Sequence, residues 1–388
     1  MFELLIYPIF VGAVSMSISQ ENDHRHVIFD PTIRAMGTDV SSDGKKFVVA
    51  SAKWKVFNLD TGKVQSHGHF GGYWAVQFSP DGTRLALAGN YNLFRLYDVH
   101  TGQVIWDLTR EGHVDVIDQV LFTPDGKKMI SVSNGEKRVR LWDIANKQAE
   151  AAFHFTGLGT AKIGIELKTY VEKAKRIYEY ERVKGLIREC VLMPDGKTLA
   201  VTAYPGKISF LDLETGKITS TIACKQQRAS ALRISADGKW LFIGGYDENY
   251  KNGQVEIWDL DTRDFLSAVA KHEAGIYRIS VSTDKKFLLT VSDSVRLWDL
   301  ATGKMKHRHL GKDDARLPRT KVFDDGSKYE EKEVGCAGCG FLPDGKTFWL
   351  VPSWEFWGTE AYFYDTVTGE VADYRKRVVD SPKKQESK

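Results

Sequence analysis

The sequence predicts an all-β fold of seven repeated units, each a sheet of four short antiparallel strands, and three observations predict it. A turn signal recurs seven times, centred on Asp43, Asp81, Asp125, Asp195, Asp237, Asp284 and Asp344. In each unit a later run ends in an aromatic residue or Leu followed by Asp or Asn. Ahead of each turn, the residues three and five places before the Asp are mostly apolar, as in Phe78 and Val76 or Ile234 and Leu232. That period of two belongs to a strand with one buried face.

Each unit supplies the same parts in order. Its first strand runs into a turn such as Ser79-Pro80-Asp81-Gly82 or Leu342-Pro343-Asp344-Gly345, where Pro at the second position and Gly at the fourth suit a type I turn. A second strand and a loop lead to the third, which ends at Phe57-Asn58, Tyr97-Asp98, Trp142-Asp143, Leu211-Asp212, Trp258-Asp259, Trp298-Asp299 or Tyr364-Asp365. A second turn, for example Glu214-Thr215-Gly216-Lys217 or Ala301-Thr302-Gly303-Lys304, then starts the fourth strand. The composition agrees, with 34 Gly for the turns and 10 Trp among 12% aromatics for the strands. A net charge of +3 gives no electrostatic case for a nucleic-acid partner, and four cysteines are too few for a disulfide scaffold.

With its Trp-Asp dipeptides and its Gly68-His69 and Gly112-His113 elements, the chain resembles the WD-repeat β-propeller family over roughly residues 34–376. Each of His69, His113 and His272 stands twelve residues before its turn Asp, similar to the family spacing. Pro31, Val183, Lys225 and Lys332 hold that place in the other four units. The resemblance implies a seven-bladed propeller whose His, Ser or Thr and Trp residues form a structural hydrogen-bond network around Trp142, Trp258 and Trp298. It is expected to be nearest to complete in blade 3 (His113, Ser133, Trp142) and blade 6 (His272, Ser292, Asp293, Trp298). It further implies that the Pro-Asp-Gly turns lie on the bottom face, with the loops between second and third strands and the connections between blades on the top. Residues 24–378 then make one closed domain, with either His24 to Phe29 or Glu370 to Arg377 as the outer strand of blade 7.

Two spacings between turn aspartates stand out: 70 residues from Asp125 to Asp195, and 60 from Asp284 to Asp344. The excess forms two top-face insertions, about 156–189 and 307–334. The first fits a hairpin or a short helix on the rim; in the second, Asp325-Gly326 between β-favouring flanks signals a hairpin. Long loops on a rigid framework tend to carry function. The top-face loops also hold Tyr73, Trp74, Tyr246, Tyr250, Trp354, Phe356 and Trp357, and with Arg188 these are the candidate partner-binding residues.

No signature of paired carboxylates, a nucleophile triad or a phosphate loop appears, so no catalytic residue, metal site or cofactor is expected. The His24/His26, His67/His69 and His307/His309 pairs fall on different blades without matching carboxylates. Cys336-Ala-Gly-Cys339 enters the first strand of blade 7. Full extension would separate the two Cα atoms by about 10 Å, beyond the roughly 7 Å a disulfide spans, so core cysteines are expected.

Residues 1–20 fit a signal peptide or a membrane anchor: Leu4 to Val14 is apolar and Ala13 and Ser15 suit a cleavage site, yet no Lys or Arg precedes the run. Export and cytoplasmic residence both stay open, and any membrane contact would run through this segment. Residues 379–388 are expected to be a disordered tail. The expected function is a non-catalytic scaffold, monomeric by itself, that binds a protein or peptide through the top face. The alternative is an enzyme or small-ligand binder at the channel mouth, which an inward ring of acids or histidines would favour. The blade-start residues Trp74, Asp118, Arg188, Ser230, Tyr277 and Ala337 are instead unmatched.

Overall fold

The structure, a computed structural model, describes residues 27–30, 35–68, 71–109, 111, 113, 115–155, 176–180, 187–203, 205–309, 320–322, 328–330, 335–353 and 359–372. Seven sheets make up the blades, each built on four antiparallel strands; in six of them the strands run in sequence order, and in the seventh the outer strand comes from the amino-terminal side of the chain. Their inner strands are Gly37–Val40, Tyr73–Phe78, Gln119–Phe122, Cys190–Leu192, Arg228–Ile234, Arg278–Val281 and Gly335–Phe341, in blades 1 to 7. Inner strands of neighbouring blades pack side by side, including the last against the first, so the ring is closed.

Val27–Asp30 decides between the two candidates for closure. It pairs antiparallel with Thr359–Asp365, Val27 opposite Tyr362 and Asp30 opposite Thr359, and so supplies the outer strand of blade 7. The ring is therefore tied by two distant stretches of the chain. In the other six blades the third strand carries a β-bulge against the fourth, at Val56/Phe57, Leu96/Tyr97, Leu141/Trp142, Phe210/Leu211, Ile257/Trp258 and Leu297/Trp298. Those six hairpins turn within a few residues; blade 7, whose outer strand arrives from elsewhere, pairs without a bulge.

Burial follows from the alternation. Seven apolar clusters fill the seven clefts between neighbouring blades, among them Trp54 with Tyr73 and Leu85 between blades 1 and 2, and Phe47 with Trp349 and Phe363 between blades 7 and 1. Both faces of every blade are therefore buried, and the propeller has no single central core. At about 25 cal/mol per Å² of apolar surface, each cleft contributes several kcal/mol, so neighbouring blades stabilise one another.

The bottom turns are built alike. Ser41, Ser79, Thr123, Ser235 and Ser282 donate a side-chain hydrogen bond to the Asp two residues on, at 2.5–2.7 Å, and the glycine after that Asp takes a positive φ in six of the turns. Each turn also touches the turn of the blade before it: Gly44 faces Pro343, Gly126 faces Pro80, Gly196 faces Pro124 and Gly238 faces Pro194. At Gly238, φ is +73° and an added Cβ would meet Pro194 at 2.8 Å, so only glycine fits. Blade 6 replaces the glycine with Lys285, which also holds a positive φ and reaches back to Asp237 of blade 5 at 2.6 Å.

Most of the first insertion lies outside the described residues. Its Arg176–Tyr180 forms a fifth strand of blade 3, parallel to Gln148–Phe155, and the stretch expected to be a hairpin or a short helix lies outside the described residues. In the second insertion Thr320–Val322 pairs antiparallel with Lys328–Glu330, the hairpin that Asp325-Gly326 predicts, although the turn itself is not described. The amino-terminal segment and the tail also lie outside the described residues; among the described residues no helix is long and apolar enough to cross a membrane.

Candidate functional site

The inner strands surround a central cavity of about 780 Å³. Trp74, Asp118, Arg188, Ser230, Tyr277 and Ala337, the six unmatched blade-start residues, all line it. Below the mouth its polar side chains bond across blades. The Asp39 carboxylate accepts from Phe78 N–H at 2.8 Å, and Gln77 accepts from Phe122 N–H at 2.7 Å. Gln119 brackets Cys190, accepting from its N–H at 2.9 Å and donating to its carbonyl at 2.7 Å. Ser230 donates to the Ile276 carbonyl, and Arg233 pairs with Glu189. The channel wall thus satisfies main-chain groups that the pleat leaves facing inward.

The acids in the channel do not form a ring with a common task. Asp118 accepts from Asn134 N–H at 2.7 Å, and burial raises its carboxyl above the usual range. Burial pushes Asp39 up to about 7, against the opposing hydrogen bond from Phe78. Among the described residues no three His, Cys, Asp or Glu side chains converge as a metal ion would require.

At the mouth the candidate aromatics divide. Trp74 and Tyr250 are 47% and 49% exposed, and Tyr277, which the sequence singles out only as a blade-start residue, is 46% exposed. Tyr73 and Tyr246 are fully buried, which removes them from the partner-binding set. Tyr73 hydrogen-bonds Tyr97 at 2.8 Å inside the cleft of blades 1 and 2, while Trp74, the extra residue of a β-bulge between Tyr73 and Ala75, lines the channel. Tyr246 serves as a pedestal: Tyr250 stacks on it at 5.2 Å and Tyr277 leans against it at 5.7 Å. Arg228, which sequence reasoning missed, lies over the Tyr250 ring at 4.7 Å and donates to its hydroxyl at 2.9 Å. Its only sequence signal is a place at the start of a blade. Arg188 is exposed at the mouth as expected. Trp354, Phe356 and Trp357 lie outside the described residues.

The repeat networks form with different partners from those expected. In blade 3 the hydroxyl is Ser131, not Ser133: it lies 2.8 Å from both His113 Nε2 and Trp142 Nε1. Glu136, 3.2 Å from His113 Nδ1, stands where blade 6 has Asp293. In blade 6 it is Thr290, not Ser292, that lies 2.8 Å from His272 Nε2 and Trp298 Nε1, while Asp293 lies 3.1 Å from Nδ1. The carboxylate fixes the proton on Nδ1, so the Thr290 hydroxyl donates to Nε2 and accepts from the indole. Blade 5 has no histidine; Trp258 donates to Glu256 at 2.9 Å, and Glu256 accepts from Gln226 N–H at 2.8 Å. His69 lies outside the described residues.

Burial holds His272 at about 4 and lowers His113 as well. Between pH 6.5 and about 4 the unfolded chain takes up protons that the folded chain refuses, so stability is expected to fall as the pH drops through that window. Asp39 acts in the opposite sense, because its folded form keeps a proton that the unfolded carboxyl loses above about 4. Asp39→Asn should therefore steepen the loss on acidification. Urea midpoints of the intact chain and of Asp39→Asn at about pH 7 and about pH 5 check this; an equal change of midpoint in the two chains, or a variant midpoint independent of pH, would contradict it.

Residues 102–143 match the family described as "WD domain, G-beta repeat", and residues 157–237 match "Anaphase-promoting complex subunit 4 WD40 domain". The chain is 22% identical over 289 residues to apoptotic protease-activating factor 1 of Mus musculus, a match covering 69% of this chain and 22% of that protein. It is 22% identical over 261 residues to THO complex subunit 3 of Arabidopsis thaliana, covering 62% of this chain and 80% of that one. Seven blades closed into a ring, two His-hydroxyl-Trp networks and these repeat matches together show a seven-bladed β-propeller similar to the WD-repeat family.

Proposed function

We propose that the protein is a non-catalytic scaffold that receives a protein or peptide partner on its top face, at the mouth of the channel. The observation that carries this reading is the set of half-exposed aromatics Trp74, Tyr250 and Tyr277, the last two resting on the buried Tyr246 with Arg228 over Tyr250, and Arg188 exposed on the channel lining. Rigid aromatics and arginines lose little conformational entropy on binding and dominate interface energetics. The polar residues of the channel wall are occupied in bonding blade to blade, which supports a scaffold over chemistry at the channel mouth. Two of the matched names, THO complex subunit 3 and anaphase-promoting complex subunit 4, are those of subunits of larger assemblies.

The test is affinity capture with cross-linking of the intact chain, its Trp74→Ala/Tyr250→Ala/Tyr277→Ala variant and a bottom-face control, Val367→Ala. Truncating hot-spot residues costs about 2 kcal/mol each, so partners held by the mouth should drop at least about tenfold with the triple variant and stay level with the control. Recovery that is unaffected by the triple variant, with its melting temperature preserved, would move the interface elsewhere.

A further inference from the structure

We propose that the side of the channel mouth formed by blades 4 to 6 receives an acidic peptide segment, whose carboxylates pair with Arg188 and Arg278. This rests on a partner docking at the mouth and adds that partner's chemistry. Among the described residues, the charged side chains that line the channel are Asp39, Asp118, Arg188, Glu189, Arg233 and Arg278. Their signs are sorted around the ring. The two aspartates belong to blades 1 and 3, and the three arginines to blades 4, 5 and 6.

Partners within the protein account for four of the six. Asp39 and Asp118 accept main-chain N–H groups, from Phe78 at 2.8 Å and from Asn134 at 2.7 Å, which directs their charge into the wall. Glu189 pairs with Arg233, and the two charges cancel. Arg188 and Arg278 are left: both are exposed, and among the described residues neither makes a salt bridge. The backbone under each is fixed. Thr202 Oγ1 accepts the N–H groups of Arg188 and Glu189 at 3.0 Å each, and Arg278 opens the inner strand of blade 6 opposite Val291. Two uncompensated guanidinium groups therefore flank blade 5 from rigid blade ends.

A guanidinium grips a carboxylate through two parallel hydrogen bonds, and its weak hydration makes partial burial less costly than for an ammonium group. Two such groups on a concave site of about 780 Å³ match an extended segment carrying acidic side chains, while Trp74, Tyr250 and Tyr277 take its apolar residues. The same two charges repel a cationic segment. Nucleic acid fits less well, because successive phosphates call for a run of basic residues, and here two arginines share the channel with two aspartates in a chain of net charge +3.

Random peptides displayed on phage are selected on the intact chain, and the peptides recovered are measured against variants by fluorescence anisotropy. Those that lose binding to Trp74→Ala/Tyr250→Ala/Tyr277→Ala dock at the mouth, and these should be enriched in Asp and Glu. Arg188→Glu/Arg278→Glu should weaken them at least about tenfold, and added salt should weaken them on the intact chain. Arg188→Gln/Arg278→Gln, which keeps most of the side-chain volume, should show the loss even if the charge reversal lowers the melting temperature. Lys63→Glu/Lys217→Glu changes the net charge equally at exposed positions of the bottom face and should leave binding unchanged. Mouth-dependent peptides with no excess of acids, or with equal affinity for the Gln variant, overturn the proposal and leave the scaffold reading standing. A selection without any mouth-dependent peptide overturns both. Displacement of the peptides by oligothymidylate more readily than by their own unlabelled copies makes the ligand a nucleic acid and overturns the proposal as well.

Discussion

A chain beginning at Thr32, without the strand Val27–Asp30, is expected to lose about 3–5 kcal/mol of stability and to self-associate. Four paired positions disappear, from Val27 opposite Tyr362 to Asp30 opposite Thr359, at about 1 kcal/mol net for each backbone hydrogen bond. The remaining edge, Thr359–Asp365, would present open N–H and C=O groups to another molecule. Urea midpoints and sedimentation of the two chains measure both effects. A peptide covering residues 22–34, added in trans, should rebuild the edge by strand addition and restore the midpoint. If truncation leaves midpoint and mass unchanged, the strand is not the closure.

Thr290→Val is expected to cost about 2–5 kcal/mol, although valine has nearly the shape of threonine. It strips the shared hydroxyl from a buried chain running from the Trp298 indole through Thr290 to His272 and Asp293. The indole N–H and the imidazole Nε2 would both be left without a partner in a place that admits no water, at about 1–3 kcal/mol each. Thr290→Ser keeps the hydroxyl, as Ser131 does in blade 3, and should cost about 1 kcal/mol for the lost methyl. Equal urea midpoints for the Val and Ser variants would show that the hydroxyl contributes nothing.

The repeat was legible because its punctuation is local: Pro, Asp and Gly set turn geometry within four residues, whatever the rest of the chain does. Long-range choices were not. Val27–Asp30 is an edge strand, and nothing in its own residues distinguishes it from the rival segment after Glu370 until the pairing is seen. In the networks, Ser131 and Ser133 share one face of a strand, as do Thr290 and Ser292, so periodicity gives the face; the depth of the histidine decides between them. The aromatic site was half readable, since Trp74 and Tyr250 are at the surface, but Tyr73 and Tyr246 turn inward under constraints set by the neighbouring blade. The two cysteines of blade 7 were readable as free core residues, and both pack against the cluster between blades 6 and 7, but the bulge at Ala337 between them was not readable because it depends on the register with the next strand.

The contacts that link each bottom turn to the one before it run the whole way round, from Gly44 on Pro343 to Gly345 on Thr283 and Asp284. They act as a hoop. Cross-ties reinforce it where Ser42 donates to the Pro80 carbonyl at 2.6 Å, Arg84 to the Gly126 carbonyl at 2.9 Å and Thr283 to the Pro343 carbonyl at 2.9 Å. A hoop at one rim sets the diameter of the cylinder regardless of what hangs from the other. Insertions and aromatic clusters can then accumulate on the upper rim without reopening the ring, and change there is judged by what it binds more than by whether the protein still folds.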